Sequence, residues 1–184
     1  KKLSTVFKRQ RTFQHSGQKT MVLNRKHFTA TAFVLHPDQD KVLLHWHNKV
    51  MEWLPPGGHI EKNESPEEAV VREVYEESGL SIKLFSNKSI FENIGEVKEL
   101  EKPESMLLEP INDPKEGKHF HIDMIYFAEA INPERLKSGW IWVNEQDLVE
   151  KKKLELNEGN YKHPPKDVIV LSINCINKRR KNGN

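Results

Sequence analysis

Cysteine occurs once in these 184 residues, at Cys175, which excludes an intramolecular disulfide framework and any multi-cysteine metal site. A reducing compartment fits that scarcity best. No stretch reaches the roughly 18 consecutive apolar residues that cross a bilayer, and the basic start is not followed by an apolar signal-peptide core. The expectation is a soluble, cytoplasmic protein with no membrane partner. An excess of charge of one sign is missing too. Lys and Arg number 29 against 27 Asp and Glu, leaving +2, so bulk charge gives no reason to expect nucleic acid.

What is present is enough for one core: 36% of the residues are hydrophobic, and the length suits a single domain. The cations gather at the ends. Lys1, Lys2, Lys8, Arg9 and Arg11 begin the chain, and Lys178, Arg179, Arg180 and Lys181 close it. This divides the chain into a basic arm over 1–26, a domain over 27–177 and a basic tail over 178–184. Such ends read as solvated tails, with a polyanion such as RNA as their alternative partner. Cys175 reads as a small buried hydrophobe.

FTATAFVLH, Phe28 to His36, and KVLLHWH, Lys41 to His47, are rich in β-branched, aromatic and apolar residues and flank the turn-like PDQD. They predict two strands, the second buried on both faces. Trp53 to Gly58 holds two prolines and two glycines and predicts a rigid loop. Helix signals then run in order: Ser65 as N-cap, Pro66 at the first helical position, Glu68 closing a capping box and Gly79 as the stop.

Beyond the helix, a strand is expected near Ile82 to Phe85, then a weakly patterned acidic stretch, then a turn at INDPKEGK. HFHIDMIYFAEA, His119 to Ala130, alternates. Phe120, Ile122, Met124, Tyr126 and Ala128 form its core row, while His119, His121 and Asp123 begin the opposite row and predict an end open to a cleft. A short strand over Trp140 to Val143, a short helix capped by Asn144 and a last helix from Pro165 to about Ile176 complete an α/β chain. Interleaving of this kind implies a mixed sheet packed between helices.

The first helix carries the chemistry. At about 100° per residue with Ala69 at zero, Glu76, Glu73 and Glu77 fall at roughly −20°, 40° and 80°. Val70, Val74 and Val71 follow at about 100°, 140° and 200°, so a buried stripe adjoins an acidic one. Three like charges near a helix C-terminus cost stability. A hard divalent cation would offset that cost, since Mg²⁺ takes carboxylate, water and phosphate oxygens.

Gly58, Glu64, Arg72-Glu73-Val74, Glu76-Glu77 and Gly79-Leu80, at those intervals, match every defined position of the Nudix box, and the chain is identified as similar to the Nudix hydrolases. WLPPGGHIE and WVNEQDL resemble flanking family segments. The resemblance implies an α/β/α sandwich and hydrolysis of a nucleoside diphosphate linked to another group, with Mg²⁺ or Mn²⁺. Glu73, Glu76, Glu77 and Gly58 then correspond to metal-binding positions, Glu73 and Glu76 also to catalytic ones, and Glu64, Arg72 and Gly57 to supporting ones. A nucleotide-sensing module without turnover, or processing of RNA 5′ ends, are the alternatives. A homodimer is an expected assembly, because dimers are frequent in the family.

One family feature is missing from its usual place. Relatives often carry an acidic residue before the tryptophan equivalent to Trp142, where this chain has Trp140 and Ile141. Glu129, Glu134 and Asp123 are the substitutes. Trp53, His47, His119, His121 and Asp123 are the candidate substrate contacts, against the plainer reading of the aromatics as packing and of the strand residues as ordinary polar positions.

Overall fold

A computed structural model describes residues 25–86, 95–157 and 160–182. The basic N-terminal residues through Arg11 lie outside them. Ten strands and three α-helices are assigned among the described residues. Strands β1 (Lys26–Leu35), β2 (Lys41–His47), β3 (Glu52–Leu54), β4 (Gly57–His59), β5 (Ile82–Leu84), β6 (Ser105–Asp113), β7 (Gly117–Ala130) and β8 (Trp140–Asn144) form one sheet. Its spine is the long parallel pair β1 and β7, in register from Lys26 opposite Phe120 to Leu35 opposite Glu129. The other neighbours are antiparallel, so the sheet is mixed. Helices α1 (Pro66–Ser78), α2 (Glu145–Val149) and α3 (Lys166–Asn182) flank it, and β9 (Leu154–Asn157) pairs with β10 (Asn160–Lys162) beside it.

The period-2 alternation of β1 explains the three layers. Ala30, Ala32 and Val34 pack with Val70 and Val74 of α1 and with Tyr126 and Ala128 of β7. The intervening Phe33 and Leu35 pack with Val168, Ile169 and Ile176 of α3. Alanines on the α1 side let the helix approach closely, and larger side chains fill the α3 side. The valine stripe read from the sequence is therefore real for Val70 and Val74, while Val71 is 40% exposed.

α1 has the caps its sequence announces. Ser65 Oγ accepts from the Glu68 N–H and Glu68 Oε2 accepts from the Ser65 N–H, closing the box. Gly79 takes φ of 80° and donates its N–H to the Tyr75 carbonyl at 3.0 Å, a left-handed stop that suits glycine.

Four expectations need correction. Trp53 to Gly58 is not all loop: β3 pairs with β2 and β4 with β1, leaving Pro55-Pro56 as the link. The core row of β7 is only half buried, because Phe120 and Ile122 lie outside the α1-side core and Met124 joins it only partly. The acidic stretch leads into a nine-residue strand, β6, against β7. The basic end is no solvated tail: α3 runs through it to Asn182. Arg179 and Arg180 reach Asp40, Arg180 also reaches Glu145, and Lys178 pairs with Glu104. Cations in the last turn also complement the helix dipole.

Candidate active site

Four glutamates converge where α1 passes the β4 strand. Arg72 sits among them. Its Nε donates to Glu64 Oε1 at 2.7 Å, Nη2 to Glu64 Oε2 at 3.0 Å, and Nη1 to Glu73 Oε1 at 2.9 Å and Glu76 Oε2 at 3.2 Å. Nη2 also donates to the His59 carbonyl at 3.1 Å, tying the helix to β4. The Arg72 guanidinium holds the Glu64 carboxyl below the usual glutamate range. This bidentate fork is geometry that lysine cannot supply.

The two glycines serve different contacts. A Cβ on Gly58 would fall 2.5 Å from Glu73 Cδ, so only glycine lets the strand backbone meet that carboxylate. A Cβ on Gly57 would meet the Ala30 carbonyl oxygen at 2.7 Å and Thr31 Cα at 2.8 Å. The Gly57 N–H donates to Glu77 Oε2 at 3.1 Å. Burial pushes the Glu77 carboxyl up, the Gly57 N–H opposes this, and Glu73 and Glu76 add to the rise.

The end of α1 is also fixed from outside. Lys137 Nζ donates to the Glu76 carbonyl at 2.6 Å and Trp140 Nε1 to the Glu77 carbonyl at 3.1 Å, satisfying carbonyls that a helix end leaves open. Trp140 thus sets the helix register from β8. Its ring also stacks on His45, with centroids 4.2 Å apart.

Glu77 opens onto a cleft whose walls include Thr31, His45, His47, Glu109, Asp123 and Asp167. Burial, followed by the charges of Asp123 and Asp167, pushes the Glu109 carboxyl up to about 7. Asp123 is 4% exposed; burial raises its carboxyl, against hydrogen bonds from Thr31 and Thr29, the latter at 2.8 Å. Burial and the neighbouring His47 push His45 down to about 4.

A family model described as the NUDIX domain matches residues 25–164. The chain belongs to the NUDIX family. A crystal structure of a NUDIX-family hydrolase from Clostridium perfringens is 30% identical, with a TM-score of 0.66, covering 83% of this chain and 97% of that one. A protein named probable DHNTP pyrophosphohydrolase, from Lactococcus lactis subsp. cremoris, is 34% identical over 97 residues, 52% of this chain and 51% of that protein. The human diphosphoinositol polyphosphate phosphohydrolase 2 is 46% identical over 56 residues, 30% of this chain and 31% of that protein. These curated relatives are therefore matched over about half of their length or less.

The structure divides the residues singled out in this NUDIX chain. Glu64, Arg72, Glu73, Glu76, Glu77, Gly57 and Gly58 come together. His47 and Asp123 line the cleft. Trp53 does not: it is 3% exposed and packs in the α3-side core, near Trp46, so its ring offers no stacking face. His119 is 4% exposed and stands with His121, His27 and His59 toward the start of β7, beyond the cleft-lining Asp123, with His121 paired across the sheet to Glu109. Of the three substitute acids only Asp123 reaches the cleft; Glu134 is exposed in a 3-10 turn, and Glu129 lies 3.8 Å from Arg179. Glu109 and Asp167 escaped the sequence reading. The signal for Glu109 was the alternation Leu107, Glu109, Ile111, with a carboxylate in an otherwise apolar row.

The donor set suits a hard divalent cation. Glu73, Glu76 and Glu77 offer oxygens on one helix face, and the Gly58 backbone is shaped to the Glu73 carboxylate with no room for a Cβ.

Proposed function

We propose that this NUDIX protein is a pyrophosphohydrolase that uses a divalent cation, Mg²⁺ or Mn²⁺, to cleave the diphosphate linkage of a nucleoside diphosphate derivative or nucleoside triphosphate by water attack on phosphorus. The observation that carries this reading is the juxtaposition of Glu73, Glu76 and Glu77 with the Gly57-Gly58 strand, every box position being present and connected. Glu73, Glu76 and Glu77 hold the cation. When bound, it supplies positive charge at phosphate oxygens and a water of lowered pKa. Arg72 fixes the rotamers of Glu73 and Glu76, and the pair supplies the carboxylate that takes the water's proton.

The cleft chooses between substrate classes. Glu109, Asp123 and Asp167 add acceptor oxygens to the lining that Glu77 of α1 also reaches. Such a wall suits hydroxyls or amino groups of a nucleoside, which donate hydrogen bonds, and repels a ring crowded with phosphates. The stacked His45 and Trp140 rings flank this path. A nucleoside-containing diphosphate thus fits better than the diphosphoinositol substrate named for the human relative. The RNA alternative loses the C-terminal part of its motive, since Arg179 and Arg180 are engaged within the fold, while the basic N-terminal residues lie outside the described ones.

The test is a panel of nucleoside triphosphates, nucleotide sugars, dinucleoside polyphosphates and a diphosphoinositol polyphosphate, incubated with Mg²⁺ and resolved by chromatography. A nucleoside monophosphate product from at least one member is expected. Glu76→Gln and Glu77→Gln should each lower kcat on the order of 10²-fold or more. Turnover untouched by both substitutions would refute the carboxylate assignment, and no turnover of any member would favour a sensor.

A further inference from the structure

Four histidines from three strands share a second polar cluster. His27 opens β1, His119 and His121 lie on β7, and His59 ends β4. Parallel pairing puts His27 directly beside His121, and antiparallel pairing puts His59 beside Thr29, two residues along β1. The rings crowd together: centroids of His27 and His119 are 4.6 Å apart, His59 and His121 4.9 Å, and His119 and His121 5.1 Å.

The nitrogens, not only the rings, converge. One ring nitrogen from each of His27, His119 and His121 lies within 4.8 Å of the other two. His119 Nε2 is 3.2 Å from His121 Nε2, and His27 Nδ1 is 3.1 Å from His59 Nε2. Tetrahedral coordination with Zn–N bonds of 2.0–2.1 Å separates ligand nitrogens by about 3.3 Å, close to the His119–His121 spacing, and the His27 ring stands near enough to join that pair. A purely hydrophobic role would not aim these nitrogens at one another.

The outer contacts orient the rings in the same sense. His119 Nδ1 lies 3.0 Å from the Gly117 carbonyl, which can only accept, so Nδ1 carries the hydrogen and Nε2 keeps its lone pair for the cluster. Glu116 Oε2 stands 3.8 Å from His27 Nε2, on the side away from His59, near this ring but beyond hydrogen-bonding distance of it. Both outer groups come from the β6–β7 turn. That turn is built by Asp113 Oδ1, which accepts from the Lys115 and Glu116 N–H groups.

We propose that His27, His119 and His121 bind a first-row transition metal ion of the zinc class, at a site separate from the α1 carboxylates. Imidazole donors select zinc, copper and nickel over the oxygen-seeking Mg²⁺, so the two sites would sort their ions by donor chemistry. Bound there, the ion clamps the starts of β1 and β7. This inference stands apart from the hydrolase reading, because it uses none of the box residues.

The experiment is calorimetric titration of the chelator-treated full chain with Zn²⁺ in excess Mg²⁺, together with thermal melting with and without Zn²⁺. One saturable equivalent per chain and a raised Tm are expected, and both should survive Glu73→Gln combined with Glu77→Gln. His119→Ala should weaken Zn²⁺ binding by about tenfold or more, since losing even an outer-shell partner costs that much. His27→Gln, at a partly exposed ring, gives the same readout if the buried His119 variant does not fold. Zn²⁺ binding that His27→Gln leaves unmoved, or that disappears with the glutamates instead, overturns the proposal. So does the lack of any saturable Zn²⁺ binding, which leaves the rings a hydrogen-bonded cluster only.

Discussion

Two groups of carboxylates meet opposite electrostatic conditions. Glu64, just before α1, and Glu73 and Glu76, on it, surround Arg72, whose fork gives each of them a charged partner. On the strand side, Glu109 and Asp123 stand with Asp167 and are pushed toward protonation by burial, Glu109 also by its acidic neighbours. Glu77 belongs to both surroundings, buried yet held by the Gly57 N–H. Glu64 is thus held in its charged form by Arg72, while Glu109 and Asp123 are pushed to take up a proton. The determinant is a cation within hydrogen-bonding range.

The sharpest way to test that contrast is pH. Glu109 has its folded pKa raised to about 7, above its unfolded value, so folding binds the proton more tightly. The sign follows: this carboxyl costs nothing below its unfolded pKa, and its penalty grows through the window up to about 7, where it is complete. Glu109→Gln should therefore stabilise the protein at pH 8, by up to about 3 kcal/mol, and change little at pH 4. Urea unfolding at the two pH values, in chelator, measures it. An equal effect at both would show that the strand acids are not desolvated as described.

The two glycines offer the next separation. Gly57→Ala drives a Cβ into backbone, the Ala30 carbonyl and Thr31 Cα, which cannot yield without shifting β1, so a loss of about 1–3 kcal/mol is expected. Gly58→Ala meets only the carboxylate end of Glu73. That side chain can rotate away, so stability should hold while activity falls. Melting temperature and kcat, measured on both variants, should move in this crossed pattern. Gly58→Ala that keeps full turnover would detach Glu73 from the chemistry.

Legibility in the sequence followed the range of the interactions. The box helix was readable because its caps, stripe and carboxylate face are all set within a few residues. The sandwich was readable because β1, β2 and β7 alternate or run apolar at the periods of strands. Glu109 was not, since its property comes from burial and then from Asp123 and Asp167, all of which depend on segments far along the chain brought to it by sheet pairing and the packing of α3. The histidine cluster hid for a similar reason: His119 and His121 drew notice as a pair on one row, but His27 and His59 reach them only through the parallel register of β1 and β7 and the short β4. Arg179 and Arg180 looked like a tail because their partners, Asp40 in the β1–β2 turn and Glu145 at the start of α2, lie far away in the chain.

The remaining prediction takes the α1 wall and works in the opposite pH sense. Arg72 holds the Glu64 carboxyl below its unfolded value, so this pair stabilises the fold above the unfolded glutamate pKa and loses its contribution as pH falls through the lowered folded one. Arg72→Gln removes the fork and leaves Glu64, whose side chain is 14% exposed, without its cation. A loss of about 1–2 kcal/mol is expected at pH 7, at the strong end for an ion pair because two parallel bonds are involved. The gap to the unsubstituted protein should narrow as the pH falls from the ordinary glutamate range through the lowered pKa of Glu64. Paired with Glu109→Gln, whose effect grows with rising pH by raising stability, this gives two substitutions, one in each group, with effects of opposite sign at neutral pH. If Arg72→Gln and the unsubstituted protein differ by the same amount at pH 3 and pH 7, the guanidinium acts through packing or through the His59 carbonyl, and the charge contrast between the walls fails.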